Sequence, residues 1–194
     1  MLPNEVLSAV EGPANPVNET VWQHPSRSVR ICVREHLGFL LAERALRIFR
    51  AKDQSEIGGL LFGRATFNGS ELHIFITEAE FIPSEGSLYN STTNDQAALT
   101  AALAKHQKHL DSVPVGYFRS DIRDGFSLTE QDKRFIERHL PNPASMSLLI
   151  RPFHMGVCMA GIFLWEKDRV EGEFTDFEVP LFISETGSAE GSIE

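Results

Sequence analysis

The chain has 194 residues and a mass of 21.7 kDa, a size that a single globular domain accounts for. Hydrophobic residues make up 42% of it and charged residues 23%, which excludes a disordered or fibrous protein. Its 18 Lys and Arg residues against 27 Asp and Glu residues give a formal net charge of −9. Because that charge repels phosphate backbones and anionic membrane surfaces, we expect neither nucleic acid nor membrane as a partner.

The cysteines and the apolar stretches indicate the compartment. Cys32 and Cys158 lie far apart within apolar segments, which indicates neither a disulfide framework nor a cysteine-based zinc site. No stretch has the apolar length of a membrane span, and the first residues lack the basic and apolar regions of a signal peptide. We therefore expect a cytoplasmic protein in a reducing environment.

Both ends of the chain have the composition of disordered segments. Residues 1–27 hold four prolines and no sustained hydrophobic period, which is typical of a flexible arm. Residues 184–194 are small, polar and acidic, and bury too little apolar area to offset the entropy lost on ordering. The folded domain is therefore predicted over residues 28–183.

The first half of that domain alternates between strand and helix patterns. Residues 28–34 alternate polar and apolar side chains, which predicts a strand, and helical spacing of apolar residues predicts a helix over 36–51. Two apolar runs, 58–63 and 71–77, flank Asn68-Gly69 and predict a β-hairpin, whose second strand continues toward residue 83.

The second half adds two helices and three strands. Strong helix formers with an apolar stripe predict a helix over 95–110, and a shorter helix is expected near 130–140. Strands are predicted at 114–118, 145–150 and 157–165. Mixed strands and helices around one sheet predict an α/β or α+β sandwich.

One pair of histidines, His106 and His109, lies on the predicted helix 95–110. The helical zinc pair has a spacing of four residues with a Glu beside it, and Lys105 and Lys108 would repel a cation. His106 also continues the apolar stripe of the helix, so we predict a partly buried structural histidine instead of a ligand.

Two segments carry a more specific pattern. In the first, Glu56 stands just before the Gly-rich strand 58–63. In the second, Gly116-Tyr-Phe-Arg-Ser-Asp121 ends a strand, and Thr129 and Asp132 follow after seven and then two intervening residues.

These segments resemble the MPN/JAMM metalloprotease family. Its active members carry a Glu ahead of a Gly-rich strand, then Gly-[Trp/Tyr]-x-His-[Ser/Thr]-His, seven residues, Ser, two residues and Asp. The resemblance covers about residues 28–167. It implies an MPN/JAMM-like, cytidine-deaminase-like sandwich of a mixed β-sheet flanked by helices.

The resemblance also assigns roles to single residues. It implies that Glu56 is the general base, that Thr129 takes the position of the motif Ser, and that Asp132 is the third zinc ligand. Arg119 and Asp121 stand where the family has its two zinc-binding histidines. The resemblance therefore implies a degenerate metal site.

The Arg119 substitution changes what the site can hold. A guanidinium has no lone pair to give and stays protonated. Two unit charges of like sign 4 Å apart repel each other by about 4 kcal/mol at an effective dielectric near 20. A dication beside the guanidinium would therefore cost roughly twice that energy. We therefore expect no cofactor, and hypothesise that Arg119 pairs with Asp132 or Glu56, with Asp121 as another partner. The alternative is that Arg119 extends to solvent over a polar cleft.

The same residues have plainer interpretations. Thr129-x-x-Asp132 resembles a helix capping box, and Ser127-x-x-Glu130 is a competing one. Glu56 can likewise be an ordinary exposed charge at a strand edge, although the family resemblance favours a position in the cleft.

The resemblance implies two kinds of function, because the family includes active isopeptidases and metal-free scaffolds. The substituted site resembles the second, so we predict a non-catalytic domain whose helix faces or hairpin dock another protein, a second copy or a related MPN-like domain. The alternative is a metal-dependent peptidase or isopeptidase with Glu56 as base and zinc or another divalent cation held by Asp121 and Asp132. Together with Asp124, these carboxylates supply only oxygen ligands, which suit Mg²⁺, Ca²⁺ or Mn²⁺.

Overall fold

A computed structural model describes residues 19–24, 27–51, 56–82, 93–106, 112–121, 126–153, 157–165 and 178–183. These residues contain eight strands and three helices, in the order β1 (Glu19–Gln23), β2 (Val29–Arg34), α1 (Glu35–Arg50), β3 (Gly58–Asn68), β4 (Glu71–Phe81), α2 (Thr93–His106), β5 (Val113–Ser120), α3 (Glu130–His139), β6 (Met146–Pro152), β7 (Val157–Leu164) and β8 (Glu178–Ile183). Within the described residues, no helix has the length and apolar character that crossing a membrane requires.

All eight strands join one mixed sheet. Their order across it is β1-β2-β4-β3-β5-β6-β7-β8. The pairs β2–β4 and β5–β6 are parallel, and the remaining neighbours are antiparallel. This arrangement confirms the predicted class, a mixed sheet combined with helices.

One face of the sheet packs against α1. The helix repeats Leu37, Leu41 and Ala45 at helical spacing, and all three are buried against strand residues such as Ile31 and Ile74. Full burial of a Leu or Ile side chain contributes about 1.5–3 kcal/mol, so this stripe fixes α1 on the sheet.

The opposite face packs against α2 and α3. Leu99 of α2 and Ile136 of α3 join a second core cluster with the strand residues Tyr117 and Phe163. Because the two clusters lie on different faces, helices cover the sheet on both sides, as the sequence predicted.

The predicted flexible arm over residues 1–27 is wrong for its last part. Glu19–Gln23 form β1 and pair with β2 from Glu19 opposite Arg34 to Gln23 opposite Arg30. Trp22 is buried in the first core cluster, and this long-range contact orders a segment whose local composition indicates disorder. Residues 1–18 and the predicted tail 184–194 lie outside the described residues.

The β3–β4 hairpin differs in detail from its prediction. Asn68 pairs with Glu71, so the loop consists of Gly69 and Ser70 instead of Asn68 and Gly69. Gly69 has a φ of 63°, which the first loop position of a two-residue hairpin requires and glycine adopts readily. β8, which pairs with β7 at one edge of the sheet, was not predicted from the sequence.

Candidate functional site

Arg119 lies near the end of β5 and is almost fully buried. Its side chain is only 1% exposed, and no larger side chain among the described residues is so completely enclosed. Arginine is rarely enclosed in this way unless it is paired, because an uncompensated buried charge is very costly. The groups around its guanidinium therefore define the site.

Three carboxylates surround the guanidinium. Asp132 accepts two hydrogen bonds from it, from Nε to Oδ1 at 2.8 Å and from Nη2 to Oδ2 at 3.0 Å. Asp121 accepts a third, from Nη1 at 2.8 Å, and the Glu56 Oε1 atom lies 3.9 Å from the same nitrogen. The predicted pairing of Arg119 is confirmed for Asp132, which takes the two-point contact, and for Asp121, while Glu56 lies within ion-pair distance. The interpretation in which Arg119 extends to solvent is wrong.

Asp132 is the centre of the cluster and is fully buried. Its Oδ1 accepts from the Tyr117 hydroxyl as well as from Arg119. Its Oδ2 accepts from the Thr129 backbone N–H at 2.6 Å and from the Thr129 hydroxyl at 2.7 Å, in addition to the guanidinium. Both oxygens are thus fully used by donors from β5 and the start of α3.

Thr129 is the N-cap of α3, which explains part of this arrangement. Its side chain accepts from the Asp132 backbone N–H at 3.1 Å, and the Asp132 side chain accepts from the Thr129 N–H, which completes a capping box. The plainer interpretation of Thr129 and Asp132 is therefore confirmed, and the competing box at Ser127 and Glu130 is wrong. Asp132 serves the cap and the ion pair at once.

The electrostatics of the cluster follow from its burial. Burial raises the pKa of the Asp132 carboxyl to about 7, the Thr129 N–H opposes that rise, and the charge of Glu56 adds to it. Burial also raises the pKa of Tyr117 far above its ordinary value, so its hydroxyl is a neutral donor. The Arg119 guanidinium is the cation that favours the ionised form of Asp132.

Ser120 positions Glu56 beside this cluster. The Ile57 backbone N–H donates to the Ser120 hydroxyl at 3.0 Å, and the Ser120 N–H donates to the Ile57 carbonyl at 2.8 Å. These bonds fix the chain next to Glu56, whose side chain stays 25% exposed. Glu56 therefore lies at the rim of the cluster and not at a remote strand edge.

Sequence reasoning assigned no contacts to Tyr117 and Ser120. Both stand on β5 within the motif segment, with Tyr117 on the same face of the strand as Arg119 and Ser120 on the same face as Phe118. Tyr117 matches the [Trp/Tyr] position of the family motif and Ser120 its [Ser/Thr] position. The motif names no partner for either side chain, and an aromatic residue on an apolar strand is usually a core residue.

The described residues do not fit a zinc ion with the ligand set of the active family members. The guanidinium of Arg119 lies between Asp121 and Asp132 and has no lone pair to donate. In the described part of the chain, no group of three or more His, Cys, Asp or Glu side chains is arranged to hold a metal ion. Asp124, included in the predicted oxygen-ligand set, lies outside that part.

His106 belongs to a separate polar cluster near the other end of β5. Its ring stacks on Phe62 at 3.6 Å between centroids, Nδ1 lies 2.9 Å from the Ser112 hydroxyl, and Nε2 lies 3.3 Å from Glu80 Oε1. With a side chain only 3% exposed, it is the structural histidine that the sequence predicted. His109 lies outside the described residues.

Comparison with known proteins adds little to this site. No family model and no curated protein matches the chain. The chain is similar to a protein from Desulfitobacterium hafniense known from its solution structure, with 21% sequence identity and a TM-score of 0.42. That similarity covers 67% of this chain and 83% of the other.

Proposed function

We propose that this chain is a non-catalytic protein-interaction domain of the MPN/JAMM type, in which an internal ion-pair cluster takes the place of the zinc centre. The observation that carries the proposal is the two-point contact between Arg119 and Asp132. The motif residues that would converge on a metal in the active family members converge here on a guanidinium.

The chemistry of the cluster supports a domain without hydrolytic activity. Metal-assisted hydrolysis needs about three protein ligands and an open position for water. Asp132 has both oxygens bonded to Tyr117, Arg119 and Thr129, and Asp121 is bonded to the same guanidinium. To bind a metal, the cluster would have to give up these bonds and accept a dication beside a buried cation.

The partner we propose is another protein, as a second copy of this chain or a related MPN-like domain. Support comes from the net charge of −9, which disfavours nucleic acid. Light scattering of the full chain tests whether it binds a second copy of itself. Affinity capture with the immobilised full chain tests whether it binds a related MPN-like domain. A chain that is strictly monomeric and captures no protein contradicts this role.

Metal analysis tests the site directly. The untagged protein is purified without chelator, offered zinc, manganese and magnesium in excess, and analysed for bound metal beside Asp132→Ala. We expect no stoichiometric metal in either protein. Near-stoichiometric metal in the wild type that Asp132→Ala removes overturns the proposal and points to a hydrolase.

A double substitution tests the MPN-type geometry. The double variant Arg119→His with Asp121→His restores histidine at the two positions where the family has its zinc ligands. It supplies two imidazoles beside Asp132 and removes the competing cation. We expect this variant to bind one zinc ion and the single variant Asp121→His to bind none. A double variant that is folded by circular dichroism but binds no zinc contradicts the MPN-type geometry.

The second candidate function is a hydrolase with an altered metal site. The observation in its favour is Glu56, which keeps a partly exposed carboxylate at the rim of the cluster, where a general base would stand. The test is hydrolysis of ubiquitin-like or small peptide conjugates with added metal. Activity that Glu56→Gln abolishes establishes this function in place of the first.

A further inference from the structure

We propose that Asn68, at the tip of the β3–β4 hairpin, is a site of spontaneous covalent modification by deamidation. The proposal depends on the local geometry of the hairpin and not on the function proposed above. It concerns Asn68, the last residue of β3, and the glycine that follows it.

The tip of the hairpin is exposed to solvent. Asn68, Gly69 and Ser70 are exposed. A Cβ placed on Gly69 would have no heavy atom within 4 Å apart from its chain neighbours, so the side of the residue where a side chain would point is open. Gly69 has a φ of 63° and no side chain of its own to block an approach to its backbone nitrogen.

The reaction needs only these two residues and water. The Gly69 backbone nitrogen attacks Cγ of Asn68, a C–N bond forms, and the side-chain amide leaves as ammonia after taking up the proton from that nitrogen. Water then opens the resulting succinimide ring at one of its two carbonyls. One opening gives aspartate, and the other gives isoaspartate, in which the chain passes through the former side chain.

The register of the hairpin makes the change consequential. Asn68 is directly opposite Glu71, whose carboxylate is bonded to the His73 ring at 2.5 Å. A new carboxylate at position 68 faces that of Glu71, and like charges directly opposite each other destabilise a strand pair. Isoaspartate also lengthens the backbone beside Phe67, which is 71% exposed at the tip.

The chain offers a matched internal control in Asn142. It is also exposed, but Pro143 follows it, and the proline nitrogen carries no hydrogen and cannot form the ring in the same way. Its side-chain oxygen accepts a hydrogen bond from the Ala144 N–H at 2.9 Å, which restrains it further.

The test is peptide mapping by mass spectrometry after the folded, full-length protein has been kept at mildly alkaline pH. We expect the Asn68 peptide to gain the mass of an amide-to-acid exchange and to separate into aspartate and isoaspartate forms, while the Asn142 peptide stays unchanged. Asn68→Gln should remove both new species and the accompanying release of ammonia.

Two results overturn the proposal. One is conversion of Asn68 that is no faster than that of Asn142 in the folded protein. The other is conversion that occurs only in urea-unfolded protein, because the folded hairpin would then protect the residue. The variant Asn68→Asp tests whether a carboxylate at position 68 destabilises the hairpin. We expect faster amide hydrogen exchange at the tip in Asn68→Asp than in Asn68→Gln.

Discussion

Arg119 and Asp132 meet through two parallel hydrogen bonds, from Nε to Oδ1 at 2.8 Å and from Nη2 to Oδ2 at 3.0 Å. The pair joins the end of β5 to the first turn of α3, and neither side chain is more than 1% exposed. A fork of this kind fixes the orientation of both groups as well as their distance. Removing one partner therefore leaves the other charge buried without its counter-ion.

The first prediction concerns the loss of the guanidinium. Arg119→Gln should lower the free energy of unfolding by about 3–5 kcal/mol, because Asp132 and Asp121 lose their shared cation in a buried site. The measurement is urea unfolding followed by circular dichroism. Arg134→Gln, an exposed position on α3, is the control and should change stability by less than about 0.5 kcal/mol. Equal stability of the two variants contradicts the buried-pair account.

The second prediction concerns the pH dependence of that variant. Burial raises the folded-state pKa of Asp132 from its ordinary 3.8 to about 7, so the folded state binds a proton that the unfolded state has released. Stability linked to this group is complete below about pH 4 and is lost as the pH rises through the folded-state pKa. Loss of the neighbouring positive charge should raise the pKa of Asp132 further. Arg119→Gln should therefore go on losing stability above about pH 8, where the wild type levels off.

The control for this pH effect is the double variant Arg119→Gln with Asp132→Asn. It has no titrating carboxyl at position 132, so its unfolding free energy should lack the added slope above about pH 8. The same slope in the single and double variants would show that another group titrates there.

The charged residues of the site could be predicted from the sequence, but the neighbouring residues that hold them in place could not. The spacing of Arg119, Asp121 and Asp132, taken with the resemblance to the family motif, predicted that these residues come together. The contacts of Tyr117 and Ser120 were missed, since each depends on a partner on another element, and strand periodicity does not reveal such partners. The strand Glu19–Gln23 was missed for a similar reason, because its pairing with β2 outweighs a local composition that is typical of disorder.

The third prediction concerns the capping box of α3. Thr129→Ala should cost about 0.5–2 kcal/mol of stability, because the Asp132 N–H loses its acceptor and Asp132 Oδ2 loses a hydroxyl donor. Thr129→Ser keeps both bonds and should stay close to the wild type in thermal unfolding. Ser127→Ala should also be near neutral, and a loss there as large as in Thr129→Ala would argue for the competing box.

The fourth prediction concerns acid stability at Glu80. Burial raises the pKa of this carboxyl, but hydrogen bonds from Lys105 and His106 outweigh that effect and leave it below its ordinary value. A lowered pKa stabilises the folded state above the unfolded pKa of 4.5, and the gain is lost as the pH falls through the folded-state value. Unfolding curves between pH 7 and 3 should therefore show a weaker acid-side loss in Glu80→Gln than in the wild type. Identical acid-side slopes would place Glu80 outside the stability-determining contacts of α2.

The fifth prediction concerns the reactivity of the two thiols. Burial raises the pKa of Cys158 to about 12, and its Sγ donates to the Ala42 carbonyl at 3.6 Å beneath α1. Burial also raises the pKa of Cys32. Because the thiolate is the reactive form, neither cysteine of the native protein should react with an aromatic disulfide reagent at mildly alkaline pH, whereas both should react in urea. Fast labelling of Cys158 before unfolding would mean that α1 opens readily from the sheet.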